Sequence, residues 1–178
     1  MAKKKKKRDP GGEQRSRILV VDDELPVGKS IAGALETEGY QVDAVQSGEE
    51  AVKHMTEAEY DLLLVDLMMP GMSGMELLQY IKEEFPDIET VIVTAIDDVS
   101  SAVQAMKFGA YDYLVKPAES PLLVLGTVRR AMRRIDLLKE NERLIHQLQG
   151  KTKALEQANT MLKDFAINDG LTGLYNRR

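Results

Sequence analysis

Four short runs of this 178-residue chain lead into residues able to do chemistry. ILVV (18–21) runs into Asp22, Asp23 and Glu24, and DLLLV (61–65) runs into Asp66, the only acid in LLLVDLMMPG. TVIVTA (90–95) carries Thr94 at its end, and YDYLV (111–115) runs into Lys116. Carboxylates gathered closely repel one another, and each has its pKa raised unless a cation offsets the charge. Oxygen ligands without His or Cys select a hard ion, Mg²⁺ before Ca²⁺, since only a few carboxylates are on offer. A carboxylate beside such an ion, with an ammonium and a hydroxyl nearby, suits phosphoryl transfer. The cations stabilise charge on the equatorial oxygens, and an aspartate serves as nucleophile. Taken singly, each residue has a plainer role. Asp22 or Asp23 could cap a helix near Pro26, Thr94 is an ordinary strand residue, and Lys116 is an ordinary surface lysine. It is their joint position at four strand ends that argues for a site.

Those ends converge only if the runs are parallel strands of one sheet. With YQVDAV (40–45) there are five runs, three of them nearly continuous in apolar residues, as strands buried on both faces are. Helical patterns lie between them, such as Val27, Ile31, Leu35 and Met75, Leu78, Ile81, Phe85. Pro26 suits a first helical position, Ser47 with Glu50 makes a capping box, and Gly39 and Gly109 sit where helices end. The expected fold over residues 17–121 is therefore α/β, a doubly wound five-stranded parallel sheet with its ligands at the carboxyl ends of the strands.

Residues 122–167 contain no proline and predict one long helix, the last of the α/β body continuing into a coiled-coil linker. Leu125, Val128, Met132 and Ile135 form a stripe for packing on the body, and arginines 129, 130, 133 and 134 mark the exit. From Leu138 a heptad fits, with Leu138, Ile145, Thr152, Asn159 and Ala166 at a and Asn141, Leu148, Leu155 and Leu162 at d. The competing expectation is a helix that folds back on the body.

Charge is segregated. Residues 17–121 hold six Lys or Arg against 21 Asp or Glu, so the acidic body argues against nucleic acid as a partner. Residues 1–16, with KKKKKR, are expected to be a disordered basic tail. The chain has no cysteine, which excludes disulfides and thiolate metal sites. It has no membrane-length apolar run, and a cytoplasmic protein without a membrane partner is expected. His54 and His146 lack neighbours at ligand spacing, and Met68, Met69, Met72 and Met75 are expected to pack the loop after Asp66.

Through ILVVDDE, DLLLVDLMMPGMSG, TVIVTA and GAYDYLVKP, residues 18–121 resemble the receiver domain of two-component response regulators, a flavodoxin-like fold. The resemblance implies that Asp66 is the phosphoacceptor and that Asp22, Asp23, Asp66 and the Met68 carbonyl bind Mg²⁺. It implies that Thr94 and Lys116 sense the phosphate, that Tyr113 is the aromatic switch, and that Lys116–Pro117 is a cis peptide. A sensor histidine kinase or phosphotransfer protein is the implied partner. Ser73 stands where many members carry Asp.

The last ten residues, DGLTGLYNRR, resemble the opening signature D-x-L-T-G-L-x-N-R-R of GGDEF domains, the diguanylate cyclases. The resemblance implies that residues 168–178 begin a truncated cyclase domain. It also implies a homodimer through the linker, since two catalytic domains must face each other to condense two GTP molecules. Ten residues make no GTP site, so no enzyme activity is expected of this chain. The alternative is a transcriptional output, because SSAVQAMKFGAYDYLVKP also resembles receivers of enhancer-binding activators.

Overall fold

The computed structural model of the protein describes residues 16–95, 99–116 and 121–167. Five strands alternate with five helices: β1 (Arg17–Val21), α1 (Leu25–Thr37), β2 (Gln41–Val45), α2 (Gly48–Glu57), β3 (Leu62–Asp66), α3 (Gly74–Glu84), β4 (Glu89–Ala95), α4 (Val99–Lys107), β5 (Asp112–Lys116) and α5 (Pro121–Ile167). The strands form one sheet in the order β2-β1-β3-β4-β5, and all its pairings are parallel. This is the doubly wound architecture that the apolar runs predict.

Side-chain alternation divides the central strands between two cores. Ile18, Val20, Leu62, Leu64, Val91, Val93 and Leu114 face α1 and α5, where they meet Leu35, Val128 and Met132. Leu19, Val21, Leu63, Val65 and Ile92 face α2, α3 and α4, where they meet Met55, Leu77, Ile81 and Ala105. Burial on both faces makes these strands read as continuous apolar runs. Each fully buried Leu or Ile contributes about 2 kcal/mol.

The helix ends depart from expectation in detail. α1 begins at Leu25, so Pro26 sits one position later than expected, where the backbone N–H also lacks an intrahelical acceptor. Ser47 Oγ accepts from Glu50 N at 3.2 Å, but the Glu50 carboxylate reaches back to Gln46 N at 3.0 Å. Only half of that capping box forms. A complete box stands instead at the start of α3, between Ser73 and Glu76. Gly39 and Gly109 end their helices at φ 91° and 92°, which favours glycine.

The chain divides into two units, through Ile135 and from Asp136. In the first, α5 buries Val124, Val128, Ala131, Met132 and Ile135, whereas Leu125 is half-buried. Arg129 pairs with Glu38, Arg130 with Asp112 at 3.0 Å, and Arg134 with Glu89 at 3.1 Å. These exposed pairs add little stability individually but connect α5 with three different elements. In the second unit every residue from 136 to 163 is exposed.

His54 Nδ1 lies 3.3 Å from the Tyr60 hydroxyl, and His146 is exposed. Among the described residues no helix is long and apolar enough to cross a membrane. The basic tail up to residue 15, the Lys116–Pro117 peptide and the motif at 169–178 lie outside the described residues.

Candidate functional site

Strand register explains how three of the polar residues meet. Asp22 continues the alternation of Ile18 and Val20, Asp66 that of Leu62 and Leu64, and Lys116 that of Leu114. All three side chains therefore leave the carboxyl edge of the sheet on the same side. Thr94 and Tyr113 have the opposite parity, that of Ile92, the side covered by α4. Ile92 pairs with Tyr113 and Thr94 with Val115, so Thr94 and Tyr113 are diagonal neighbours.

Lys116 Nζ donates to Asp66 Oδ2 at 2.6 Å and lies 2.9 Å from Asp22 Oδ2. The second contact has the distance but not the geometry of a hydrogen bond, so it acts chiefly as an ion pair. Asp22 and Asp66 are buried, 2% and 4% exposed, and Asp23 is half-buried. The other oxygens of the buried pair are held by backbone. Met68 N donates to Asp66 Oδ1 at 3.1 Å, and Glu24 N donates to Asp22 Oδ1 at 2.9 Å.

Burial pushes the Asp22 carboxyl above its ordinary value, and the Lys116 ammonium only partly opposes this. Burial also pushes the Lys116 amine down, but the hydrogen bond to Asp66 and the negative charges of Asp66 and Asp22 outweigh it, and the net shift is upward. Lys116 is thus held as a cation.

One oxygen each from Asp22, Asp23 and Asp66 lies within 4.8 Å of the others. Three carboxylates against one ammonium leave negative charge unmet. An all-oxygen donor set of this kind fits a hard divalent cation such as Mg²⁺. Thr94 is 1% exposed, and its Oγ1 has no hydrogen-bond partner among the described residues. A buried orphan hydroxyl at the ligand edge of a sheet can take an acceptor oxygen brought by a ligand. Tyr113 is 43% exposed, and the Met68 side chain projects outward.

The family model for the response regulator receiver domain matches residues 18–125. The chain belongs to the response regulator receiver family. This receiver is 40% identical over 119 residues to the transcriptional regulatory protein ResD of Bacillus subtilis, covering 67% of this chain and 49% of that protein. It is 32% identical over 147 residues to the nitrogen assimilation regulatory protein NtrX of Azorhizobium caulinodans, covering 79% of this chain and 32% of that protein. Among solved structures it resembles a CheY-like receiver domain protein from Methanospirillum hungatei, with TM-score 0.65 and 28% identity over 69% of this chain and 98% of that one. The chain spans about half the length of the first curated relatives it matches.

Three features of the receiver's site escape a reading of its sequence. Gly74 packs so closely under β3 that a Cβ there would lie 2.0 Å from the Asp66 carbonyl oxygen. Its own N–H donates to Leu67 O at 3.1 Å, which seats α3 under the residue that carries the carboxylate. Glu24 Oε1 lies 3.7 Å from Lys116 Nζ, a third acid beside the same cation after Asp66 and Asp22. Glu49 Oε1 accepts from Met72 N at 3.0 Å and fastens the loop after Asp66 to α2. Of the methionines in that loop, Met69 is buried, Met72 packs against the core and Met68 does not, while Met75, in α3, also packs against the core.

Proposed function

We propose that this receiver accepts a phosphoryl group on Asp66 from the phosphohistidine of a sensor histidine kinase or phosphotransfer protein. The observation that supports it most is the Lys116 ammonium held between Asp66 and Asp22 beside the three-carboxylate cluster. In the transfer an Asp66 oxygen forms a bond to phosphorus while the phosphorus–nitrogen bond of the donor breaks. The electron pair stays on the imidazole nitrogen. Mg²⁺ bound by Asp22, Asp23, Asp66 and the Met68 carbonyl would offset the charge of the three phosphoryl oxygens.

The chain's own residues do the rest. Asp66 supplies the nucleophile, and Met68 N orients it by holding Oδ1. Lys116 neutralises the carboxylates before transfer and a phosphoryl oxygen after it. The unpartnered Thr94 hydroxyl donates to another phosphoryl oxygen, and movement of Thr94 lets Tyr113, its diagonal neighbour, turn inward. That changes the surface of α4, β5 and α5, and α5 carries the change toward the output through a homodimeric linker.

For the output we favour a diguanylate cyclase, on the strength of the D-x-L-T-G-L-x-N-R-R motif at residues 169–178. A transcriptional output is the second reading, favoured by ResD and by PcoR of Escherichia coli, which are named as transcriptional regulatory proteins. Coding sequence after Arg178 with a Gly-Gly-Asp/Glu-Glu-Phe motif supports the first, and a P-loop supports the second. The receiver itself is tested with beryllofluoride and Mg²⁺, a mimic of the phosphoryl group. The wild-type melting temperature should rise while that of Asp66→Asn stays unchanged; equal shifts in both would reject Asp66.

A further inference from the structure

The two stretches that carry the acidic cluster are tied together by a third. Asp66 ends β3 and Met68 follows it, whereas Asp23 lies in the loop after β1. The turn between β2 and α2 touches both. Glu49, in the first turn of α2, accepts from Met72 N at 3.0 Å through Oε1. On the other side Gln46 Nε2 donates to Asp23 O at 3.4 Å.

The fit at Glu49 is close. Gly71 stands at φ 77°, and a Cβ on it would lie 2.9 Å from Glu49 Oε1, so the carboxylate rests against the bend of the loop. A Cβ on Gly48 would lie 2.8 Å from Met72 Cγ, so the Met72 side chain is seated on α2 as well. The turn making these contacts is itself braced. Ser47 Oγ accepts from Glu50 N, and Glu50 Oε2 accepts from Gln46 N. Hydrogen bonds from its own N–H and then from Met72 hold the Glu49 carboxyl below its ordinary value, so it accepts as a carboxylate.

Glu49 stands outside the cluster of Asp22, Asp23 and Asp66, so its effect on a cation is indirect. Mg²⁺ demands near-ideal octahedral geometry and tolerates displaced ligands poorly. Leu67 N donates to Val93 O at 3.2 Å and fixes the start of the loop after β3. Glu49 adds a second hold at Met72, across the Gly71 bend from Met68.

We propose that Glu49 is a positioning residue for the cation site, holding the Met72 amide so that Asp66 and the Met68 carbonyl stay in register with Asp23, with Gln46 as the second tie. This rests on the phosphoryl transfer proposed above and names residues that keep its ligands in place.

Mg²⁺ alone is titrated into the metal-free full chain and followed by backbone amide signals. Glu49→Ala should raise the dissociation constant about three- to tenfold, less than the loss of a direct partner of a metal ligand causes. Two variants separate reach from charge. Glu49→Gln keeps an acceptor at the same reach without the charge, and should stay within about twofold of wild type. Glu49→Asp keeps the charge one methylene short, and should bind as weakly as Glu49→Ala. Gln46→Ala should weaken binding in the same direction. In phosphorylation by carbamoyl phosphate, Glu49→Ala should raise the half-saturating Mg²⁺ concentration by a larger factor than it lowers the saturated rate. Wild-type Mg²⁺ affinity in Glu49→Ala, or Glu49→Gln as weak as Glu49→Ala, would overturn the positioning role and leave transfer to Asp66 standing. A wild-type chain that takes up no phosphoryl group would overturn that transfer itself.

Discussion

Lys116 Nζ stands 2.6 Å from Asp66 Oδ2 and 2.9 Å from Asp22 Oδ2, so one ammonium offsets two buried carboxylates that come from different strands. Removing it leaves the carboxylates facing each other without a cation. Lys116→Ala should therefore lose about 3 kcal/mol in Mg²⁺-free buffer, within the range for breaking a buried pair on one side. Urea titrations with and without Mg²⁺ check this. The ion should recover more stability in the variant than in the wild type.

Asp22 gives the pH dependence. Its folded-state pKa lies above the ordinary value of 3.8, with burial as the main cause. A raised carboxyl contributes stability that is present below the unfolded pKa and lost as pH rises through the folded one. In metal-free buffer Asp22→Asn should gain on the wild type as pH rises from 3.8 toward neutrality. Thermal melts across that window measure the gap, and the same variant should lose most of its response to Mg²⁺.

Gly74 tests whether the seat of α3 matters. A methyl group 2.0 Å from the Asp66 carbonyl oxygen cannot be accommodated without moving backbone. Gly74→Ala should cost about 3 kcal/mol, at the upper end for overpacking, and lower the phosphorylation rate through displacement of Asp66. Gly28→Ala is the control, since its added Cβ would meet only ordinary contacts, the nearest 3.7 Å away.

How much of this was legible beforehand depends on the kind of signal. A strand buried on both faces is a run of Val, Leu and Ile, so the charged residues ending β1, β3 and β5 stand out against it. The continuous burial of Leu62, Leu63, Leu64 and Val65 is what made Asp66 conspicuous. Contacts that hold the site in place leave no such contrast. Gly74 looks like any loop glycine, because its need is a close approach to β3 rather than an unusual φ. Ser73 stands where many members of the family carry Asp, and it works as the cap of α3. Leu125, Val128, Met132 and Ile135 all pack on the body as the stripe predicts, and Val124, outside that stripe, is buried with them at 2% exposed.

Thr94 separates stability from signalling. Its hydroxyl is buried and has no hydrogen-bond partner among the described residues, so Thr94→Val should change stability by within about 1 kcal/mol and in the stabilising direction. The variant should still accept phosphate on Asp66. Its Tyr113 ring should no longer change environment when beryllofluoride is added, as read by ring proton shifts.

The central claim is that Asp66 alone takes the phosphoryl group, and intact-mass spectrometry tests it most directly. The chain is incubated with carbamoyl phosphate and Mg²⁺ and sampled over time beside Asp66→Asn. The wild type should gain the mass of one phosphoryl group, lose it again on hydrolysis, and gain nothing when Mg²⁺ is chelated. The variant should stay at its starting mass. Uptake by Asp66→Asn at the wild-type rate would contradict the account.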